Sequence, residues 1–435
     1  MRYLKEKSPF LYLDVVTNKH FNLKTISLPK IQQSFHAEIP LPSSKSESNR
    51  ALIINALAGG KDNISNLAEA RDTQTMMRLL ASDDAIADVI DAGTTMRFLT
   101  AYFAITGQYK TMTGTPRMCE RPIGILVDAL RSLGADIQYV NQEGYPPIKL
   151  KGFNFSGNNH LQIRGDVSSQ YISALLMIAP ILPEGLNLKI TGELGSKPYI
   201  EMTLKQMEAF GVTIQRDWEN MTITVAHQKY QPIPYAIESD WSGASYWFAA
   251  VALSEHSDST LELLGLKENS LQGDSVIVQI MSHLGVKSEY TGRGFKLTKI
   301  QPKSSLQWDF TDCPDLAQTV CVVAAAEQKS FILTGVESLK VKETDRIVAL
   351  QKEIAKMGAR LDEIEKNHKY LLIPHAPIYI PRLVNTYDDH RMAMAFAPLA
   401  CMMNITIEDP DVVVKSYPSF WKHFEMINGI TYLAD

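Results

Sequence analysis

SSKSESNRALIINALA (residues 43–58) sets a polar, hydroxyl-rich turn in front of a short apolar run, and the chain repeats that phrase five more times. The later copies are DAGTTMRFLTAYFA (91–104), GDVSSQYISALLMIAP (165–180), SDWSGASYWFAAVAL (239–253), TDCPDLAQTVCVVAAA (311–326) and YDDHRMAMAFAPLA (387–400). Their apolar helical runs begin near Ala51, Phe98, Tyr171, Tyr246, Leu316 and Met392. After one short first interval these starts fall roughly 70–76 residues apart, and a repeat of that size decides architecture before any single residue is interpreted. A second phrase, an amphipathic helix, follows each copy. Its clearest examples are RPIGILVDALRSLGADI (121–137), SKPYIEMTLKQMEAFGV (196–212), GDSVIVQIMSHLGV (273–286) and ETDRIVALQKEIAKMGA (343–359). Gly134, Gly211, Gly285 and Gly358 stand where a left-handed residue ends a helix. Alternating runs such as ADIQYV and MTITVAH then read as strands.

Each unit therefore reads as strand, apolar helix, strand, amphipathic helix and strand pair. Helices such as ALIINALA and VCVVAAA carry few charges on any face and are expected to be buried all round. Six such units arrange as an α/β (α+β) protein of two domains, three units in each, with buried parallel helices and a sheet exterior. A solenoid has the same periodicity, but its usual units are shorter, about 20–50 residues.

The 435 residues suffice for two or three domains, and a formal charge of −5 gives no general reason to expect nucleic acid or an anionic membrane. Any basic site is therefore local. Cys119, Cys313, Cys321 and Cys401 lack metal-ligand spacing and read as free thiols of a reducing compartment. No apolar stretch approaches the roughly 18–20 residues that span a bilayer, and the N-terminus has no convincing leader. The expectation is a cytoplasmic protein. Residues 1 to about 35 contain no copy of the phrase and read as an extra strand or a loosely held extension.

Parallel helices present their N-termini at one end, where unpaired N–H groups and the macrodipole favour anions. Ser, Thr and Asp at such positions are ordinary caps when taken singly. Arg121, Arg346 and Arg391 are different, because the dipole disfavours cations at helix starts and a bound anion would explain them. Lys45, Arg50 and Lys415 extend the set, and guanidinium groups suit phosphate and carboxylate together. Glu343 and Asp345 fit the dipole as first-turn acids. His390 beside two aspartates lacks a second His at metal-binding spacing, and Cys119 reads more simply as a packing residue than as a nucleophile. SSKSESNR lacks the glycines of a P-loop.

SKSESNRAL, DAGTTMRF, GTPRMCERPIG, VSSQYISALLM, SKPYIEMTL, VKETDRI and DDHRMAMAF resemble, in order, the motifs of the 5-enolpyruvylshikimate-3-phosphate synthases, from about residue 35 to the C-terminus. The resemblance implies a two-domain enolpyruvyl-transferase-like fold of six βαβαββ units around an interdomain cleft. It places the crossings near residues 43 and 240: residues 1–43 with 240–435 form one domain and 44–239 the inserted one. It implies transfer of the enolpyruvyl group of phosphoenolpyruvate to the 5-hydroxyl of shikimate 3-phosphate, with release of phosphate. No metal or organic cofactor is implied, and the partners are small-molecule substrates of a monomer, not nucleic acid or membrane.

Carried over by motif, Asp315 is the proton acceptor, Glu343 the acid at the methylene carbon, and Lys45 a neighbour of the transferred group. Shikimate 3-phosphate falls to Lys45, Ser46, Arg50, Ser168, Ser169, Gln170, Ser196, Tyr199, Asp315 and Lys342. Phosphoenolpyruvate falls to Lys45, Gly93, Arg121, Gln170, Arg346, Arg391 and Lys415. Glyphosate, which competes with phosphoenolpyruvate in this family, is expected to bind. The chain departs from the family pattern at Asp91, usually Asn, at Phe98, often Pro or Leu, and at Ser338, usually Asn. Only about 18 residues separate RDTQT from DAGTT, too few for a helix and a full strand pair, so the first unit is shortened. The stretch before His36 has no family counterpart. The rivals are a UDP-N-acetylglucosamine enolpyruvyl transferase, whose reactive Cys lies five residues before an Arg, and an inactive binding protein of the same fold.

Overall fold

The computed structural model describes residues 24–303, 305–375 and 383–429. Residues 160–225 show the repeat complete. The strand His160–Arg164, helix Ser169–Ile178, strand Leu186–Thr191, helix Lys197–Ala209 and strands Gln215–Asp217 and Thr222–Val225 follow in order. The first two strands pair in parallel, with Leu161 beside Leu188, and the last two return antiparallel. Residues 86–153 and 305–373 build four-stranded sheets of the same order. Gly134 ends the helix Gly124–Leu133 at φ +113, where an added Cβ would sit 1.9 Å from the Asn154 carbonyl oxygen. Only glycine meets both demands.

Two units are completed across the chain. Strand His36–Pro40 runs parallel to Thr260–Leu264 and so serves the unit that contains helix Trp241–Leu253. Strand Tyr235–Ala236 runs parallel to Ile64–Ser65 and serves the first unit, whose helices are Lys45–Leu57 and Arg71–Leu80. That unit has no strand pair of its own, because the next strand, Ile86–Asp88, already belongs to the following sheet. The shortening expected from the sequence is located here. In the last unit, Thr25–Leu28 pairs antiparallel with Ile405–Glu408. Part of the N-terminal stretch is thus an extra strand, and residues 1–23 lie outside the described residues.

The apolar helices begin earlier than their apolar runs, at Lys45, Gly93 and Trp241 rather than near Ala51, Phe98 and Tyr246. The polar turn is itself the first helical turn, and Ser44 and Asp240 cap it by accepting from the N–H groups of Glu47 and Gly243. All 13 residues of Trp241–Leu253 and all 10 of Ala317–Ala326 are buried. Each large apolar side chain so buried stabilises the fold by about 1.5–3 kcal/mol.

Two hydrophobic cores result. One gathers apolar residues from Ile26 to Leu41 and from Trp241 to Ile427; the other runs from Ile53 to Tyr230. The chain passes between them at one place. Ser43 and Ser239 form an isolated antiparallel bridge, the Ser44 N–H donates to Glu238 O at 2.8 Å, and the Asp240 N–H donates to Pro42 O at 2.8 Å. Among the described residues, no helix is long and apolar enough to cross a membrane.

Candidate active site

Helices Lys45–Leu57, Gly93–Ile105, Ser169–Ile178 and Lys197–Ala209 turn their starts toward one polar cavity of ≈ 80 Å³. From the other half come Arg346–Lys356, His390–Phe396 and the turn Pro314–Leu316 that leads into Ala317–Ala326. Residues of the fourth copy, 239–253 and 273–286, do not line it. Convergent helix N-termini make a field that favours anions, and the lining groups supply hydrogen bonds of matching sign.

On the first wall, Lys45 Nζ donates to Asp72 Oδ2 at 3.1 Å. Arg50 is buried, donating through Nε to Thr203 Oγ1 at 2.7 Å and through Nη1 to Ser46 O at 2.9 Å, with its guanidinium 5.3 Å from the Phe98 ring centroid. Ser168 caps its helix by accepting from the Gln170 N–H at 3.4 Å, while Gln170 Nε2 donates to Thr94 Oγ1 at 3.0 Å. Ser196 sits in the left-handed region at φ +58, and its N–H donates across the cleft to Thr311 O at 2.9 Å. Arg121 lines the cavity beside Gly93 and makes no ion pair among the described residues.

The opposite wall is an ion network around one guanidinium. Arg346, 2% exposed, donates to Asp389 Oδ2 at 2.6 Å, Asp315 Oδ1 at 3.1 Å and Glu343 Oε2 at 2.8 Å. Arg391 donates to Asp315 Oδ2 at 2.7 Å and to the Tyr246 hydroxyl at 3.3 Å. The Tyr199 hydroxyl, from the first wall, donates to Asp315 Oδ2 at 3.4 Å. Asp389 also caps its own helix by accepting from the Arg391 N–H at 2.9 Å. One carboxylate therefore serves both fold and site. Arg117 ties the two walls, donating to the carbonyls of Glu343 at 3.2 Å and Lys342 at 3.3 Å.

Burial alone would raise the Asp315 carboxyl, but Arg391, Lys342, Arg346 and Lys45 together hold it well below the usual carboxylate range. Burial likewise opposes ionisation of Glu343, and Arg346, Lys415 and Arg121 override it. For Asp91, burial is outweighed by Lys415 and Arg71. Burial pushes the Lys342 ammonium down, against the pull of Asp315. Behind this layer burial pushes Asp274 up to about 7, aided by the charge of Asp315, and Asp240 up to about 6. Lys45, Arg346, Arg391 and Lys415 are thus held by the protein's own carboxylates. Among the described residues, some polar atoms on the cavity wall nevertheless have no hydrogen-bond partner: Arg121 Nε, Gln170 Oε1 and both His390 ring nitrogens. Leaving such a group unpaired costs about 1–3 kcal/mol, a deficit that a polar ligand would remove.

Of the residues expected from the sequence, Lys45, Ser46, Arg50, Gly93 and Arg121 meet Ser168, Ser169, Gln170, Ser196 and Tyr199 in this cavity. Asp315, Lys342, Glu343, Arg346 and Arg391 join them. Lys415 does not; it lines a neighbouring cavity of ≈ 570 Å³ with Asp91, Arg71 and Arg117, and the two cavities share Arg121 and Glu343. Ser338 is exposed and absent from both linings. Asp72, Tyr246 and Asp389 enter the networks without having been singled out for a role. Asp389 had a signal, in DDHR before a helix, but it reads equally as a cap. Asp72 opens an amphipathic helix and had none beyond that.

Comparison with known proteins follows the same line. The family model for EPSP synthase (3-phosphoshikimate 1-carboxyvinyltransferase) matches residues 29–83 and 78–424. Its match begins before His36, so the absence of a family counterpart for that whole stretch is corrected for residues 29–35. A 3-phosphoshikimate 1-carboxyvinyltransferase of Bacteroides fragilis (strain YCH46) is 48% identical over 390 residues, 88% of this chain and 93% of that protein. The protein of the same name from Cellvibrio japonicus (strain Ueda107) is 38% identical over 424 residues, 91% of this chain and 98% of the relative. The solved EPSP synthase of Acinetobacter baumannii superposes with a TM-score of 0.75 over 94% of this chain and 100% of that one, at 19% identity.

Proposed function

The chain belongs to the EPSP synthase family, the 3-phosphoshikimate 1-carboxyvinyltransferases, and on that premise we propose how its cavity carries out the reaction. The protein transfers the enolpyruvyl group of phosphoenolpyruvate to the 5-hydroxyl of shikimate 3-phosphate and releases phosphate, a step of aromatic amino-acid biosynthesis. One observation carries the residue assignment: Asp315 and Glu343 are held by the same guanidinium, Arg346, on a wall faced by helix N-termini. Two carboxyl groups that close together suit a reaction that needs one proton taken and another given.

In this scheme the 5-hydroxyl oxygen attacks C2 of phosphoenolpyruvate while Asp315 takes its proton and Glu343 protonates C3. The tetrahedral ketal then collapses: a methyl proton returns to Glu343, the C2–C3 double bond re-forms, and phosphate leaves with the proton from Asp315. Lys45 stands beside the transferred group. Ser46, Arg50, Ser168, Ser169, Gln170, Ser196, Tyr199 and Lys342 hold shikimate 3-phosphate. Gly93, Arg121, Gln170, Arg346, Arg391 and Lys415 hold phosphoenolpyruvate. Cations surround both carboxyls and keep them ionised. Anionic substrates draw those cations away, which raises the proton affinity of both groups and readies Glu343 as an acid. Binding itself thus prepares the chemistry.

The inserted domain is residues 44–239, with residues 1–43 and 240–435 forming the other; the separate cores and the paired crossing support this division. The protein acts in the cytoplasm as a monomer on small-molecule substrates, and the scheme requires neither metal nor organic cofactor. The test is phosphate release from mixed shikimate 3-phosphate and phosphoenolpyruvate, repeated across a glyphosate titration. Release that glyphosate suppresses in competition with phosphoenolpyruvate supports the assignment. No phosphate above the single-substrate controls would favour a binding protein instead.

A further inference from the structure

Lys415 is 2% exposed, and an ammonium so buried needs a counter-anion. Three carboxylates surround it, but they are not equal partners. Glu343 Oε1 stands at 3.6 Å and is engaged by Arg346; Asp72 Oδ1 stands at 3.8 Å on a carboxylate engaged by Lys45. Asp91 Oδ2 stands at 2.6 Å, and the Asp91 carbonyl oxygen accepts from the same ammonium at 2.9 Å. The bond crosses the cleft, since Asp91 lies just before helix Gly93–Ile105 and Lys415 ends the turn Pro410–Lys415. Arg71 Nη2 adds a second donor to Asp91 Oδ2 at 2.9 Å.

Asp91 lies two residues from Gly93, whose neighbour Arg121 is a cavity cation that makes no ion pair among the described residues. Arg121 is open to an arriving anion, whereas Lys415 already has one. We propose that Asp91 is a specificity-determining residue: a built-in carboxylate that occupies Lys415 across the cleft and that phosphoenolpyruvate must displace. The inference rests on the placing of phosphoenolpyruvate at Arg121 and Lys415. Asp91 acts against an anionic ligand by holding the cation that the ligand needs. It thereby sets the affinity for phosphoenolpyruvate apart from that for shikimate 3-phosphate, whose groups lie on the Arg50 and Ser168 side.

The test is Asp91→Asn, which keeps the size of the side chain and an oxygen acceptor for Lys415 but removes the charge. The expected result is a KM for phosphoenolpyruvate lowered on the order of tenfold, with the KM for shikimate 3-phosphate changed less than twofold. In a Lys415→Met background the same substitution is expected to lose most of its effect. A merely structural Asp91 would lower kcat and the melting temperature without lowering that KM. An unchanged or raised KM for phosphoenolpyruvate would overturn the proposal, as would an undiminished effect in Lys415→Met. If Asp91→Asn does not fold, Asp91→Ser provides the same charge removal. If the wild-type protein releases no phosphate, the enzymatic reading fails separately. Calorimetry with phosphoenolpyruvate, in the presence of shikimate 3-phosphate, then decides: tighter binding to Asp91→Asn sustains the role of Asp91, and equal or weaker binding ends it.

Discussion

Gly93→Ala separates the fold from the site with a single methyl group. The Cβ would stand 2.7 Å from Arg121 Nη1, 2.8 Å from Nη2 and 2.9 Å from Cζ, so the guanidinium must move. Ordinary contact between such atoms begins near 3.5 Å, which makes the displacement about 0.7 Å or more. Gly93 opens a helix at a backbone conformation open to any residue, and alanine favours helices by up to about 1 kcal/mol. The melting temperature should therefore hold or rise slightly. What suffers is the aim of a buried cation. A charge-assisted hydrogen bond contributes about 1.5–3 kcal/mol, so its loss corresponds to a roughly 10- to 160-fold higher KM for phosphoenolpyruvate. Steady-state phosphate release with each substrate varied in turn measures this, and Arg121→Ala sets the ceiling. The KM for shikimate 3-phosphate should change little. An unchanged KM for phosphoenolpyruvate at unchanged stability would mean that Arg121 repositions freely or does not hold that substrate, and the reasoning would fail.

Asp315→Ala should lower turnover by roughly 100-fold or more in the same assay; a loss under tenfold would remove it from proton transfer. Cys119, half-buried and 3.6 Å from the Gly114 carbonyl through Sγ, lines neither cavity. Cys119→Ser should leave turnover within about twofold, and a collapse to background would revive the UDP-N-acetylglucosamine reading. Burial pushes His423 down to about 4, with Lys422 adding to the effect. The folded state thus binds fewer protons than the unfolded one between that value and the ordinary 6.5. Its contribution to stability is present above pH 6.5 and lost as pH falls toward 4. Melting curves of His423→Gln should therefore fall less steeply over this window than those of the wild type, and parallel curves would contradict the burial argument.

The six helix pairs were legible because buried helices need apolar residues on every face, while their starts need caps. Both demands are local and both recur. The convergence of the starts followed from the repeat together with the dipole rule, against which Arg121, Arg346 and Arg391 stand out in the sequence alone. The pairing within the site was not legible. Nothing near Asp72 announces Lys45, and nothing near Asp91 announces Lys415, because each pair is made by long-range packing. Strands Ile64–Ser65 and Tyr235–Ala236 are two residues each, too short for an alternation to register. The sequence therefore showed that the first unit was short without showing what completed it. Lys415 was marked as an anion holder by its position, and position alone could not reveal that the chain supplies an anion of its own.

The strand His36–Pro40 carries a consequence for the order in which the molecule is made. Its partner strand begins at Thr260, a sequence separation of 224 between His36 and Thr260. On the ribosome, where chains grow at about 5–20 residues per second, this early strand has no sheet to join for roughly 10–45 seconds. The intervening chain, by contrast, holds both members of nearly all its own strand pairs. The later half of the chain thus recruits a strand made long before it. A nascent chain halted before Thr260 carries a bare strand, whose unpaired N–H and C=O groups are a template for pairing with another chain.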